Sequence, residues 1–223
     1  MLGNYVNFGV FEMYNDSAFL SVLDVVLQLS MLISVSDMMA YPKVTKAFVG
    51  FVEVLTANHS AVVAQLDSGK LMHILNCLEE GIQNLDSGIS SQCAAALDAF
   101  AVFYLNNAAP DTVIGVALLG HVRANPDMFR KLLLTVFNFV IFEDCQTLYS
   151  LSRPLFSLLL VHAAELDNLV SVITAVEPPE RQQIVSLAFQ KLVKDVELKH
   201  SNRNRDKFTQ NLSQFKHEMK NLK

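Results

Sequence analysis

Apolar residues recur along this chain at helical spacing. Leu20, Leu23, Leu27 and Met31 mark one stripe; Val44, Phe48, Phe51, Val52 and Leu55 mark a second. Leu71, Ile74, Leu75, Leu78, Ile82 and Leu85 form a third, and Ile89, Cys93, Leu97, Phe100 and Tyr104 a fourth. Phe129, Leu132, Leu133, Val136, Phe137 and Val140 form another. Each fits the i, i+3, i+4, i+7 template over windows too long for strands. Asp16-Ser17, Asp67-Ser68, Asp86-Ser87 and Ser201-Asn202 supply capping side chains at helix starts. Pro42, Pro110, Pro126, Pro154 and Pro178-Pro179 fit first helical turns, where a missing N–H costs nothing. Breaks fall roughly every 15 to 25 residues, so helix pairs repeat at about 40. The expectation is nine or ten helices in antiparallel pairs, an all-α, HEAT- or armadillo-like helical-repeat solenoid. Period alone does not decide between that and a compact bundle.

The two ends differ. In residues 203–223 the apolar positions are Phe208, Leu212, Phe215, Met219 and Leu222, a narrow seam of 3.5-residue period that needs another helix over it. That seam is expected to pack on the preceding helix through Ile184, Leu187, Ala188, Leu192 and Val196, its lysines facing water. Residues 1–200 then read as HEAT-like repeats, and 201–223 as a C-terminal capping helix. At the front, Leu2, Tyr5, Val6, Phe8, Val10, Phe11 and Tyr14 leave no polar side. Terminal repeats need one, so the array is expected to be cut at its front and to self-associate.

Composition supports a folded helical chain: 52% of residues are hydrophobic, with only 8 Gly and 6 Pro. The charge-free apolar runs 132–142 and 154–164 have 11 residues each. A span needs about 20, so no membrane-inserted helix is expected, and nothing at the front resembles a signal peptide. Charge is segregated. Residues 1–122 carry 3 basic against 11 acidic side chains, and residues 190–223 carry 9 basic against 4 acidic. An acidic body does not suit a nucleic-acid backbone. Arg203, Arg205 and Lys207 remain as a candidate interaction face.

Catalytic and metal chemistry finds little purchase. Cys77, Cys93 and Cys145 form no C-x-x-C pair and read as small core hydrophobes. His162 and Glu165 lie three apart, but a metal site needs a second such element. Glu79-Glu80 and Glu143-Asp144 point apart on a helix and do not face one substrate. No phosphate-binding loop, zinc-protease or nucleophile-elbow motif occurs. No enzyme activity, metal or cofactor is expected.

Several segments, in order along the chain, resemble one family. They are residues 1–11 (Met1-Leu2-Gly3-Asn4-Tyr5-Val6-Asn7-Phe8-Gly9-Val10-Phe11), Ser36-Asp37 with Tyr41-Pro42-Lys43, and Glu53-Val54-Leu55-Thr56. Further on come Ile141-Phe142-Glu143-Asp144-Cys145, Ser152-Arg153-Pro154-Leu155 and Pro178-Pro179-Glu180-Arg181-Gln182-Gln183. The strongest is Asn204-Arg205-Asp206-Lys207-Phe208-Thr209-Gln210-Asn211-Leu212-Ser213-Gln214-Phe215. Together they resemble the C-terminal portion of the exportin-seven, or Ran-binding protein sixteen and seventeen, type of importin-β-like nuclear transport receptor. The stretch between Leu105 and Asn125 departs from that pattern. The resemblance implies carriage of protein cargo through the nuclear pore, coupled to the GTP-bound state of Ran. It also implies contact with nuclear pore proteins and shuttling between nucleus and cytoplasm. In such receptors the principal Ran-binding repeats are N-terminal, so no Ran-contact residue carries over to this chain. A helical scaffold or adaptor without transport activity is the alternative.

Overall fold

The computed structural model describes residues 18–143, 145 and 147–221. The expected front helix, the Asp16-Ser17 cap, Asp144 and Leu222 lie outside the described residues. The described residues form twelve α-helices and no strand. These are α1 (Ala18–Met31), α2 (Val35–Ala40), α3 (Pro42–Asn58), α4 (Ser60–Ala64), α5 (Ser68–Ile82) and α6 (Ser87–Asn107). Then follow α7 (Val113–Ala124), α8 (Met128–Phe142), α9 (Leu148–Val161), α10 (Ala164–Val176), α11 (Pro179–Leu192) and α12 (Asn202–Lys220). All-α, with helices packed on chain neighbours, this is the helical-repeat solenoid class that the periodicity predicts. The described residues alone hold more helices than the nine or ten expected for the chain; among them α2 and α4, of 6 and 5 residues, are too short to show a period. The helices group into two compact units, one ending at Ala96 and one beginning at Leu97.

In the first unit α2 packs on α3 and α5, α1 on α5, and α3 on α4 and α5. The third stripe holds: Leu71, Ile74, Leu75, Leu78 and Ile82 are all buried, while Leu85 falls beyond the helix and is exposed. The first stripe is rotated from its expected face. Phe19, Leu23 and Leu27 are buried, whereas Leu20 and Met31 are 54% and 44% exposed. In α3, Thr45 is buried in place of Val44, its hydroxyl donating to the Met38 carbonyl at 2.8 Å. Asp67 and Asp86 act as expected at helix starts, accepting from the backbone N–H groups of Lys70 at 3.0 Å and Gly88 at 2.9 Å.

In the second unit α9 packs on α8 and α12, α11 on α10 and α12, and α8 on α12. All six stripe residues of α8 are buried. Only Pro42 and Pro179 occupy first-turn positions. Pro110 and Pro126 lie in the turns ahead of α7 and α8, and Pro154 lies inside α9. There it forgoes one backbone hydrogen bond of the helix, and the apolar contacts of a buried position offset that loss: Pro154 is itself among the buried residues of α9.

One expectation about membranes is corrected. Helix α6, at 21 residues, is long and apolar enough on average to cross a bilayer. A single charge, Asp98, hides it from a search for charge-free runs. Its buried side chains Ile89, Cys93, Leu97 and Phe100 are packed inside the protein, and Asp98 is itself paired there, which is how a core helix behaves.

Candidate functional site

The last helix carries the candidate interaction face, so its packing decides which of its side chains are available. Its seam is covered: Phe208, Leu212, Phe215 and Met219 are all buried. Phe208 meets Phe156 of α9 at 5.1 Å, and Phe215 meets Phe189 of α11 at 4.8 Å and Phe137 of α8 at 6.3 Å. The expected partner surface on α11 holds at Ala188 and Leu192, but Val185 and Phe189 are buried in place of Ile184 and Leu187, which are each 47% exposed. Each fully buried aliphatic or aromatic side chain contributes about 1.5–3 kcal/mol of transfer free energy, so this seam is a main source of cohesion in the second unit.

Polar side chains around the seam also turn inward. The Ser201 hydroxyl caps α12 by accepting from the Asn204 N–H at 3.2 Å, and the Asn204 side chain donates to the Lys199 carbonyl at 2.9 Å. Thr209 and Ser152 hydroxyls share a hydrogen bond of 2.7 Å. The Asn211 amide donates to the carbonyls of Leu192 at 3.1 Å and Lys194 at 2.8 Å, closing the loop between α11 and α12. Lys216 was expected to face water; instead its ammonium donates to the Glu143 carbonyl at 3.1 Å and lies 3.0 Å from the Cys145 sulfur. Lys191 holds Glu218 at 2.8 Å, and that hydrogen bond keeps the Glu218 carboxyl below its ordinary pKa.

The three candidate residues separate. Arg203 and Lys207, four apart and therefore on one side of the helix, line a shallow surface depression with Asp195, Asp206 and Gln210. Two carboxylates beside two cations leave no strongly positive field there. Asp195 has a φ of 58°, a left-handed conformation that Asp tolerates better than most residues. Arg205 is turned away from this depression and toward the interior, 3.7 Å from Asp98, with its side chain 16% exposed. Asp98 also accepts from the Ser157 hydroxyl at 2.5 Å. Sequence reasoning missed this trio. Its one visible signal was a lone carboxylate in a 21-residue apolar helix.

The residues set aside as catalytic candidates have structural partners. Glu165 is buried and receives the Arg130 guanidinium nitrogen at 3.2 Å on both oxygens, the Asn168 amide at 2.8 Å, and His162 at 3.7 Å. Burial pushes the Cys77 and Cys93 thiols up to about 12, removing thiolate character at neutral pH. Among the described residues no group of three or more His, Cys, Asp or Glu is arranged to hold a metal ion.

Comparison with known proteins gives a consistent result. The chain is 36% identical over 225 residues to Exportin-7-B of Xenopus laevis, covering 97% of this chain and 21% of that protein. It is 32% identical over 229 residues to Ran-binding protein 17 of Homo sapiens, covering 98% and 21%. To Ran-binding protein 16 of Drosophila melanogaster it is 31% identical over 232 residues, covering 99% and 21%. The chain thus spans about a fifth of the length of the curated relatives it matches, a share that fits a C-terminal portion. No family model matches it, and no solved structure matches it.

Proposed function

Because this chain is related along nearly its whole length to the exportin-7 and Ran-binding protein 16/17 group, we propose that it works as part of a nuclear export receptor. In this reading it contributes helical repeats to a receptor that carries protein cargo through the nuclear pore, coupled to Ran-GTP, and that moves between nucleus and cytoplasm. The observation that carries the proposal is identity of 31–36% over 97–99% of the chain. The helical packing supports it, because extended stacks of helices are surfaces for protein partners. The relatives are transport receptors and not enzymes at the level of the family, and we read this chain the same way.

Arg203 and Lys207 are the outward members of the proposed contact face and, with Asp195 and Asp206 beside them, suit a partner that offers both acidic and basic groups. The place of Arg205 against Asp98 favours a role for that residue within the fold. Contacts with nuclear pore proteins belong to the same reading. A test is to immunoprecipitate the cellular polypeptide carrying this sequence and add Ran loaded with GTP or with GDP. Retention of Ran in the GTP state alone supports the proposal. Indifference to nucleotide, with other proteins still retained, would return the helical scaffold without transport activity.

A further inference from the structure

Among the described residues, helix α9 begins without an anion. It has no acidic residue in its first turn, and Thr147 at its N-cap makes no side-chain capping hydrogen bond. By contrast α5 is capped by Asp67, and α10 has Glu165 and Asp167 in its first turn. The positive end of the α9 dipole is therefore not matched by a negative charge of its own. In that first turn stands Tyr149, 58% exposed. One turn on, the Arg153 guanidinium lies over its ring, 4.9 Å from the centroid, and donates to the phenolic oxygen at 2.6 Å. Arg153 makes no ion pair among the described residues; its charge rests on a neutral hydroxyl and a ring. The backbone beneath is fixed by the Ser152 hydroxyl, which donates to the Tyr149 carbonyl at 2.8 Å.

We propose that Tyr149 is a tyrosine-phosphorylation site whose phosphate is received by Arg153 and by the N-terminal end of α9. A tyrosine kinase would transfer the γ-phosphoryl group of ATP to the Tyr149 oxygen. The bond from the γ-phosphorus to the bridging oxygen breaks, a new P–O bond forms on the phenol, and ADP and the phenolic proton leave. The phosphate carries a charge of about −1.5 to −2 with three acceptor oxygens. Its terminal oxygens lie two bonds beyond the phenolic oxygen that Arg153 already touches, within reach of the same guanidinium, so a charge-assisted pair replaces a neutral contact without moving the helix. The proposal is independent of the transport reading.

The test uses the whole chain, a broad-specificity tyrosine kinase and ATP, with the site mapped by mass spectrometry. Tyr41, 65% exposed, serves as an internal comparison. The expected result is phosphate on Tyr149, lost in Tyr149→Phe, and a melting temperature raised by about 2–4 °C. In Arg153→Gln the same modification gives a smaller rise or none. Phosphotyrosine installed at position 149 during translation measures the same shift without a kinase. Labelling of Tyr41 with none on Tyr149 would overturn the proposal. So would a phosphorylated chain that melts no higher than the unmodified one, or an equal rise in Arg153→Gln.

Discussion

Helices α1 and α12 teach opposite lessons about how apolar residues become a core. Helix α1 is the more apolar, yet it buries only Phe19, Leu23 and Leu27 and leaves Val22, Val25 and Leu29 exposed. Helix α12 has four large apolar residues among its described positions, and all four are buried. The difference is contrast around the helix. In α12 polar residues on every other side leave one way to dock, whereas α1 offers apolar groups on two sides and its sequence does not say which is inward. Polar ties follow the same split. Helix α1 is held to α5 by Asp24 to Lys70 at 2.8 Å and Ser30 to His73 at 3.1 Å. Helix α12 is tied to α6, α9, the end of α11 and the loop at Glu143.

Substitutions can break this comparison at several levels. The largest effect is expected for Phe215→Ala, which empties the space between Phe137 and Phe189 and costs about 3–5 kcal/mol in chemical denaturation. Next comes Ser157→Ala. It removes the hydroxyl donor from buried Asp98 and is expected to cost about 1–3 kcal/mol. On the α1 side, burial holds the His73 imidazole below its ordinary pKa of 6.5. The unfolded chain takes up that proton first, so this contribution is full above 6.5 and lost as pH falls toward the lower folded value. His73→Gln keeps a donor for Ser30 and is expected to flatten stability against pH in that window. The smallest effect belongs to Leu29→Ala, within about 0.5 kcal/mol, because its side chain is already exposed. A loss from Leu29→Ala as large as that from Phe215→Ala would erase the distinction between the two helices.

How much was legible in the sequence follows from the same contrast. The α8 stripe was read in full because its apolar residues fall on one side and all six are buried. The α12 seam was read correctly up to Met219, but its partner surface on α11, right at Ala188 and Leu192, was displaced from Val185 and Phe189 to Ile184 and Leu187. Adjacent apolar positions there leave the face undecided by one residue. Proline positions were read from local chemistry alone. That sufficed for Pro42 and Pro179 and failed for Pro154, where burial within α9 overrides the local preference. The Asp98, Ser157 and Arg205 trio was not legible, since Asp98 and Ser157 are 59 positions apart and no local pattern joins them. The family kinship was legible because it rests on whole segments. The segment that carried it most strongly, 204–215, supplies Asn204, Arg205, Phe208, Thr209, Asn211, Leu212 and Phe215, whose side chains make the inward contacts of α12.

Native-state hydrogen exchange reads the central claim most directly, comparing amides at Phe208, Leu212 and Phe215 with those of Val25 and Leu29. If α12 is a core helix of the second unit, its amides exchange only with global unfolding of that unit, together with those of Val136 and Phe137 in α8. Exchange of α12 amides well before those of α8, as in a helix that detaches while the rest stays folded, would contradict it.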